Sequence, residues 1–183
     1  MLPPLHWSRP ANVPYPNVWL RFKAKDLDSD ALVEYRIQDL AEDQFEVAIE
    51  QLTEYYFRDE PICKLKDVPN TDVGFIHDFQ DLWRVQLAER MTLVCYKEGS
   101  DEIIGGNILY VLSKEDTVLA EAKNQSTNEA FKDMFDSFDL MYREGNFTVW
   151  EKYGVDKYLA SFGLAVAPEY RGRGIGQRLL EMR

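Results

Sequence analysis

Six consecutive residues, Arg171-Gly172-Arg173-Gly174-Ile175-Gly176, have the composition of an anion-binding loop. They follow the apolar run Leu164-Ala165-Val166-Ala167 and precede an amphipathic start at Ile175, Leu179 and Leu180. A strand, a glycine loop and a helix N-terminus in that order bring unpartnered backbone N–H groups and the positive end of a helix dipole to one point. Glycines let that backbone approach an anion closely, so the stretch fits a pyrophosphate cradle. Two common cradles are excluded. Gly176-Gln177-Arg178 lacks the Gly-Lys-Ser/Thr ending of a nucleotide-triphosphate loop, and Gln177 stands where a dinucleotide fingerprint needs glycine. Arg171, Gly174 and Gly176 match the spacing Arg/Gln-x-x-Gly-x-Gly/Ala instead. With 11 Arg, 7 Gln and 10 Gly in the chain, roughly 0.05 such matches are expected by chance. The alternative is a glycine-rich turn with no ligand. The Arg171 and Arg173 side chains can meet phosphates or pair with nearby Glu169, whereas the backbone N–H groups serve in either case.

The second candidate is Glu60, in Asp59-Glu60-Pro61 at the end of an apolar-striped run. Proline ends a helix at the preceding residue, so this carboxylate either points into a cleft or solvates a helix end. The remaining reactive residues form no constellation. His6 lies in a proline-rich arm, and His77 sits beside Phe75 and Phe79, where packing is expected. Two distant histidines carry no metal signature. Cys63 has no histidine near it in sequence to activate a nucleophile, and Cys63 and Cys95 are too few for a disulfide framework. Two reduced thiols fit a cytoplasmic protein.

The elements that must position these residues follow from periodicity. Five of eight prolines fall in residues 1–16, which reads as an extended arm lying across the domain, since Trp7 and Tyr15 are costly to leave in water. Residues 1–30 are assigned to this arm and 31–183 to the folded domain. Strands are expected at Asn17–Lys25, Val33–Leu40, Thr92–Lys97, Glu102–Leu112 and Tyr158–Val166, with a hairpin turn at Glu98-Gly99-Ser100-Asp101. Helices are expected over Ala41–Asp59, Val73–Arg90, Asn128–Arg143 (Phe131, Met134, Phe135, Phe138 and Met141 on one side) and from Ile175 onward. Residues 113–127 read as loop. The class is α/β, with a mixed sheet.

Composition bounds the function. The chain has 183 residues, 45% hydrophobic and 13% aromatic, enough for one domain with a sizeable core. A net charge of −11 opposes a nucleic-acid partner, and no apolar run reaches the length of a membrane span. Met1–Trp7 has no signal-peptide pattern.

The Arg171–Gly176 hexapeptide resembles motif A of the GCN5-related N-acetyltransferases, which binds the pyrophosphate of acetyl-coenzyme A. Phe57-Arg58-Asp59-Glu60-Pro61, Glu98–Gly106, Tyr153-Gly154-Val155-Asp156 and the Arg9-Pro10…Pro14-Tyr15-Pro16-Asn17-Val18-Trp19 stretch resemble the insect arylalkylamine N-acetyltransferases, in that family's order. The resemblance covers nearly the whole chain and implies an acyl-CoA N-acyltransferase fold. It implies acetyl-CoA as co-substrate, no metal, and a small primary amine such as an arylalkylamine as acceptor. It also implies that Glu60 is the general base, and that Arg171, Gly172, Arg173, Gly174, Ile175 and Gly176 hold the pyrophosphate. Backbone N–H groups of Leu164, Ala165 and Val166 would contact the acetyl and pantetheine portion, which requires a gap in the ladder there. The family's order continues with further strands and a helix, and its thiolate-protonating Tyr or Ser lies downstream. The chain is therefore expected to be the N-terminal part of a longer enzyme, with an open core and little activity if it ends at Arg183. The rivals are a non-catalytic acyl-CoA-binding protein, an enzyme for a polyamine or a protein N-terminus, and a structural domain whose glycine loop is only a turn.

Overall fold

The computed structural model describes residues 1–68, 72–144 and 148–183. Five strands form one sheet in chain order: β1 (Val18–Lys25), β2 (Leu32–Asp39), β3 (Leu93–Lys97), β4 (Gly105–Ser113) and β5 (Lys157–Val166). Every pairing is antiparallel among the described residues. Between β2 and β3 run α1 (Phe45–Asp59), α2 (Pro61–Leu65) and α3 (Val73–Leu87). Between β4 and β5 run α4 (Val118–Gln125), α5 (Glu129–Glu144) and α6 (Val149–Tyr153), and α7 (Ile175–Glu181) follows β5.

The sheet separates two cores because strand side chains alternate between faces. Val94, Tyr96, Ile108 and Tyr110 face α1, α3, α4 and α5. Tyr35, Ile37, Leu93, Cys95 and Leu109 face α7 through Ile175 and Leu179. The first core is dominated by rings. Phe57 stacks on Trp83 at 5.6 Å, and Phe79 lies 5.0 Å from Phe162 of β5. Each such buried side chain contributes about 1.5–3 kcal/mol, so this cluster ties α1 and α3 to β5.

Four features depart from the pattern expected of the sequence. Residues 113–127 contain α4, whose Val118 and Ala122 are buried; eight residues are too short a window for the period to declare itself. Met141 is exposed, because α5 runs past the core that Phe131 and Met134 fill. His77 is exposed too, one step off the buried stripe of Phe75, Phe79, Leu82 and Trp83. Pro61 stops α1 as expected but also opens α2, since proline at the first helical position forfeits no intrahelical bond.

The arm does lie across the domain. Buried Asp39 accepts hydrogen bonds from Arg9 Nη2 (2.9 Å), the Asn17 N–H (2.9 Å) and Trp19 Nε1 (2.7 Å). Tyr15 donates to the Leu40 carbonyl, and the His6 N–H donates to Asp116 at 2.8 Å. Within residues 1–30, β1 is a full strand of the sheet, paired with β2.

Glu89, 5% exposed, stands in for a strand where β3 has ended: its Oε2 accepts the Val111 N–H at 2.7 Å. Burial raises its pKa to about 7, the Val111 hydrogen bond opposes that rise, and Asp116 adds to it. Between the ordinary carboxylate range and about pH 7, the folded chain keeps a proton that the unfolded chain has released. Stability therefore falls as pH rises through that window. Glu89→Gln keeps the acceptor and removes the charge. It should flatten the slope between pH 5 and 7.5 and gain roughly 1–2 kcal/mol at the upper end. Thermal melts at both pH values test this, and an unchanged slope in the variant would refute it.

Candidate functional site

Glu60 occupies a junction. It is the C-cap of α1 and the N-cap of α2, with φ −65° and ψ 128°, and its N–H donates to the Tyr56 carbonyl at 2.8 Å. Its Oε2 accepts the Cys63 N–H at 2.7 Å, a capping bond that fixes the carboxylate at the start of α2. Burial first, and then the Glu60 carboxylate, push the buried Cys63 thiol well above its ordinary range. Cys63 is thus a protonated neighbour of Glu60 and no nucleophile.

β5 carries an irregularity. Leu109 faces Ser161 and Asn107 faces Leu164, so Phe162 and Gly163 together oppose Ile108. This is a bulge of two residues against one. Gly163 has φ 141°, and a Cβ there would lie 3.5 Å from the Trp83 indole. Trp83 Nε1 donates to the Phe162 carbonyl at 2.7 Å.

The bulge decides which N–H groups of β5 are free. The Glu98 N–H donates to Glu34 and the Leu40 N–H to Thr92, so even-numbered β3 residues face β2 and odd-numbered ones face β4. By the same alternation Gly106 and Tyr110 of β4 face β5. Tyr110 pairs with Ala160 before the bulge and Gly106 with Ala165 after it. The N–H of Ala165 therefore lies within the ladder, while those of Leu164 and Val166 point to the edge that carries no strand among the described residues. The Val166 carbonyl confirms the direction, since it accepts Arg171 Nε at 2.9 Å outside the ladder. Of the three residues expected to offer donors, two do so. The ladder's irregularity falls one step earlier than expected, at Phe162–Gly163.

The loop after β5 begins with a turn at Pro168–Tyr170 and ends in α7. Gly172 and Gly174 have φ 77° and 76°, left-handed values that favour glycine, and each has open space where a Cβ would be. The N–H groups of Gly174, Ile175 and Gly176 donate to no acceptor among the described residues. The two arginines have different fates. Arg171 is exposed and binds Asp59 Oδ2 at 2.5 Å, joining the loop to the end of α1. Hydrogen bonds from Arg58 and then Arg171 hold the Asp59 carboxyl down to about 2. Arg173 turns inward, donating to the carbonyls of Lys25, Asp26, Leu27, Glu169 and Arg171 at 2.6–3.4 Å. Its side chain clamps the loop onto the β1–β2 turn, and Glu169 is engaged through its carbonyl.

These three pieces line one cleft of about 520 Å³: Glu60 with Tyr55, Tyr56 and Asp59 on one side, Leu164, Ala165 and Val166 along the edge, and Arg171, Gly172, Gly174, Ile175 and Gly176 on the other. Of the residues singled out in the sequence, Arg173 alone is not part of the lining. Tyr56 also lines a second cavity of about 730 Å³ on the other side of the bulge, with Tyr110, Phe135, Phe138, Trp150, Tyr158 and Phe162. Tyr56 was legible in the sequence only as part of the α1 apolar face. Trp150, brought there by α6, lies with its ring 4.8 Å from that of Tyr158 at the start of β5. No group of three or more His, Cys, Asp or Glu among the described residues is arranged to hold a metal ion. No helix among them is long and apolar enough to cross a membrane.

Residues 35–182 match the family model described as the acetyltransferase (GNAT) family. Solved structures are similar along the chain. A protein of the yellow fever mosquito Aedes aegypti assigned as arylalkylamine N-acetyltransferase 7 superposes with a TM-score of 0.87 at 44% identity, over 97% of this chain and 72% of that one. Arylalkylamine N-acetyltransferase 2 of Aedes aegypti gives 0.66 at 22% identity, over 80% and 67%. A polyamine N-acetyltransferase of Drosophila melanogaster gives 0.61 at 17%, over 80% and 67%. A search of curated proteins finds no match.

The contrast between the two arginines is testable. Arg173→Ala should lower stability by about 2 kcal/mol, because it strips charged donors from several carbonyls at once. Arg171→Ala should cost under about 1 kcal/mol, as expected of a solvent-screened pair. Thermal melts of the two variants compare them, and equal losses would contradict the clamp assigned to Arg173.

Proposed function

The chain belongs to the acetyltransferase (GNAT) family and is an N-acetyltransferase, and from that premise we propose that it transfers acetyl from acetyl-CoA to a primary arylalkylamine. One observation carries this reading: a single cleft is lined at once by a helix-junction carboxylate, a strand edge with free donors and a loop with free donors. The N–H groups of Gly174, Ile175 and Gly176 would hold the pyrophosphate, with Gly172 and Gly174 leaving room for it and Arg171 contributing charge at the rim. The edge of β5 leads from that loop toward Glu60.

The amine arrives as ammonium and must lose a proton before it can attack, since its pKa is near about 10. Glu60 accepts that proton, directly or through water. The nitrogen then bonds to the thioester carbonyl carbon, and the negative charge forming on oxygen is met by the outward N–H groups of Leu164 and Val166. Collapse breaks the C–S bond, the surplus proton on nitrogen passes through water to the departing thiolate, and the N-acetylated amine and coenzyme A are released. The ring-lined cavity beyond the bulge suits an aryl group, which supports an arylalkylamine acceptor. A polyamine is the second reading. Asp136 and Asp139 line a cavity adjoining the ring-lined one, sharing Leu112, Asp139, Trp150 and Tyr158 with it, although Lys123 already pairs with both aspartates. Cys63 and Cys95, both free thiols, favour the cytoplasm as the setting.

The test is calorimetric titration with acetyl-CoA, followed by turnover with a panel of aryl-alkyl, polyamine and peptide N-terminal amines. Gly174→Glu places an acid in the cradle and a side chain at a left-handed φ, and should weaken acetyl-CoA binding at least tenfold. Glu60→Gln keeps the cap to Cys63 and should lower kcat by about 10²–10⁴ with acetyl-CoA affinity unchanged. An undiminished kcat would remove Glu60 from its role. Binding of acetyl-CoA with no amine turned over would mark a non-catalytic acyl-CoA-binding protein.

A further inference from the structure

Trp83 touches none of the cleft's reactive groups, yet it sits behind the feature that orients them. Its side chain is fully buried, on the face of α3 that packs against β5. A bulge of two residues against one leaves a carbonyl without a ladder partner, and that is an unfavourable state for a buried polar group. Here the Phe162 carbonyl receives Trp83 Nε1 at 2.7 Å. The indole face also occupies the space beside Gly163, where a Cβ would meet three of its atoms at 3.5–3.8 Å. Trp83 thus holds the bulge by a hydrogen bond on one residue and by shape on the next.

The bulge has a directional consequence. In the register of Tyr110–Ala160, continued without interruption, every even-numbered residue of β5 would turn its N–H toward β4. Leu164 and Val166 would then both be consumed in the ladder. The one extra residue inverts the alternation, and the side chains record the same inversion. Ala160 and Phe162 pack into the core beneath α1 and α3, whereas Leu164 and Val166 pack on the face that α7 covers. Slippage by one residue is the characteristic hazard of a strand, because it exchanges both faces and both edges at once.

We infer that Trp83 is a positioning residue for acyl transfer: its indole locks the β5 bulge and thereby keeps the N–H groups of Leu164 and Val166 aimed into the cleft. Its catalytic consequence rests on the reaction proposed above, while its structural consequence does not. Trp83→Phe keeps a ring in the cluster and deletes the N–H. Gly163→Ala attacks the same bulge from the other side, by forcing φ 141° on a residue with a Cβ, while that Cβ would rest in ordinary contact with the indole.

The experiment compares both variants with the parent chain in three readouts: acetyl-CoA affinity, kcat and KM for the best amine of the panel, and the ¹⁵N–¹H signals of Leu164 and Val166. The expected result is a kcat at least tenfold lower in each variant, with acetyl-CoA affinity within twofold and the two amide signals displaced. Loss of affinity in parallel with kcat would mean general damage to the cleft and would overturn the assignment. So would a Trp83→Phe enzyme with unchanged kcat and unmoved amide signals. If the parent chain turns over no amine, the function proposed above fails, and the amide signals alone decide. Displacement in both variants upholds Trp83 as the lock on the bulge, and unmoved signals dismiss it.

Discussion

The donors at the edge of β5 depend on one surplus residue in an otherwise regular ladder. A strand with period two offers its N–H groups to alternate sides, and an uninterrupted β5 would spend those of Leu164 and Val166 on β4. The bulge at Phe162–Gly163 releases them, and it is sustainable only because something accepts the geometry on each side of it: Gly163 at φ 141° within the strand, and the Trp83 N–H on the stranded carbonyl. Trp83 can reach that point because Tyr56, Phe57 and Phe79 pack around it. The aromatic core is thus more than ballast; it fixes the register of the strand that borders the cleft.

The other two walls are held by shorter-range devices. Glu60 is immobilised by serving two helices at once, closing α1 and capping α2, which a proline at position 61 makes possible. The glycine loop is anchored from beneath by Arg173 and from the side by the Arg171–Asp59 pair, so its free N–H groups sit on a loop fastened at both ends. The Arg171–Asp59 pair also spans two cleft walls. Because Asp59 is held down to about 2, the link stays charged throughout the neutral range. Glu89 shows the opposite situation, a carboxylate whose burial resists ionisation even though it accepts a backbone hydrogen bond that favours the charged form.

Much of this was legible in the residues. The five strands and the helices at 45–59, 73–87, 129–144 and 175–181 follow from alternation and from three- and four-residue spacing, and the loop at Arg171–Gly176 from glycine placement. Glu60 was reachable from the Asp-Glu-Pro sequence and the family resemblance. The short helices α4 and α6 were not, because five to eight residues contain too few turns for a period. Arg173 could not be told from Arg171 by sequence, since both stand beside glycines in the same loop. Their roles diverge because the carbonyls of residues 25–27 lie on one side of the loop and Asp59 on the other.

Local chemistry is what the sequence by itself determined: which segments pair or coil, where an anion is welcome, and which carboxylate ends a helix. Those properties depend on neighbours within a few residues. Only the tertiary structure decided that Glu60, the edge of β5 and the glycine loop border one cleft, that the Trp83 indole meets the carbonyl at the bulge, and that Leu164 and Val166 rather than Ala165 present free donors. These are matters of register and of contact between residues some eighty to one hundred and ten positions apart. A one-residue shift leaves the composition and nearly all of the pattern unchanged while reversing which groups face the cleft.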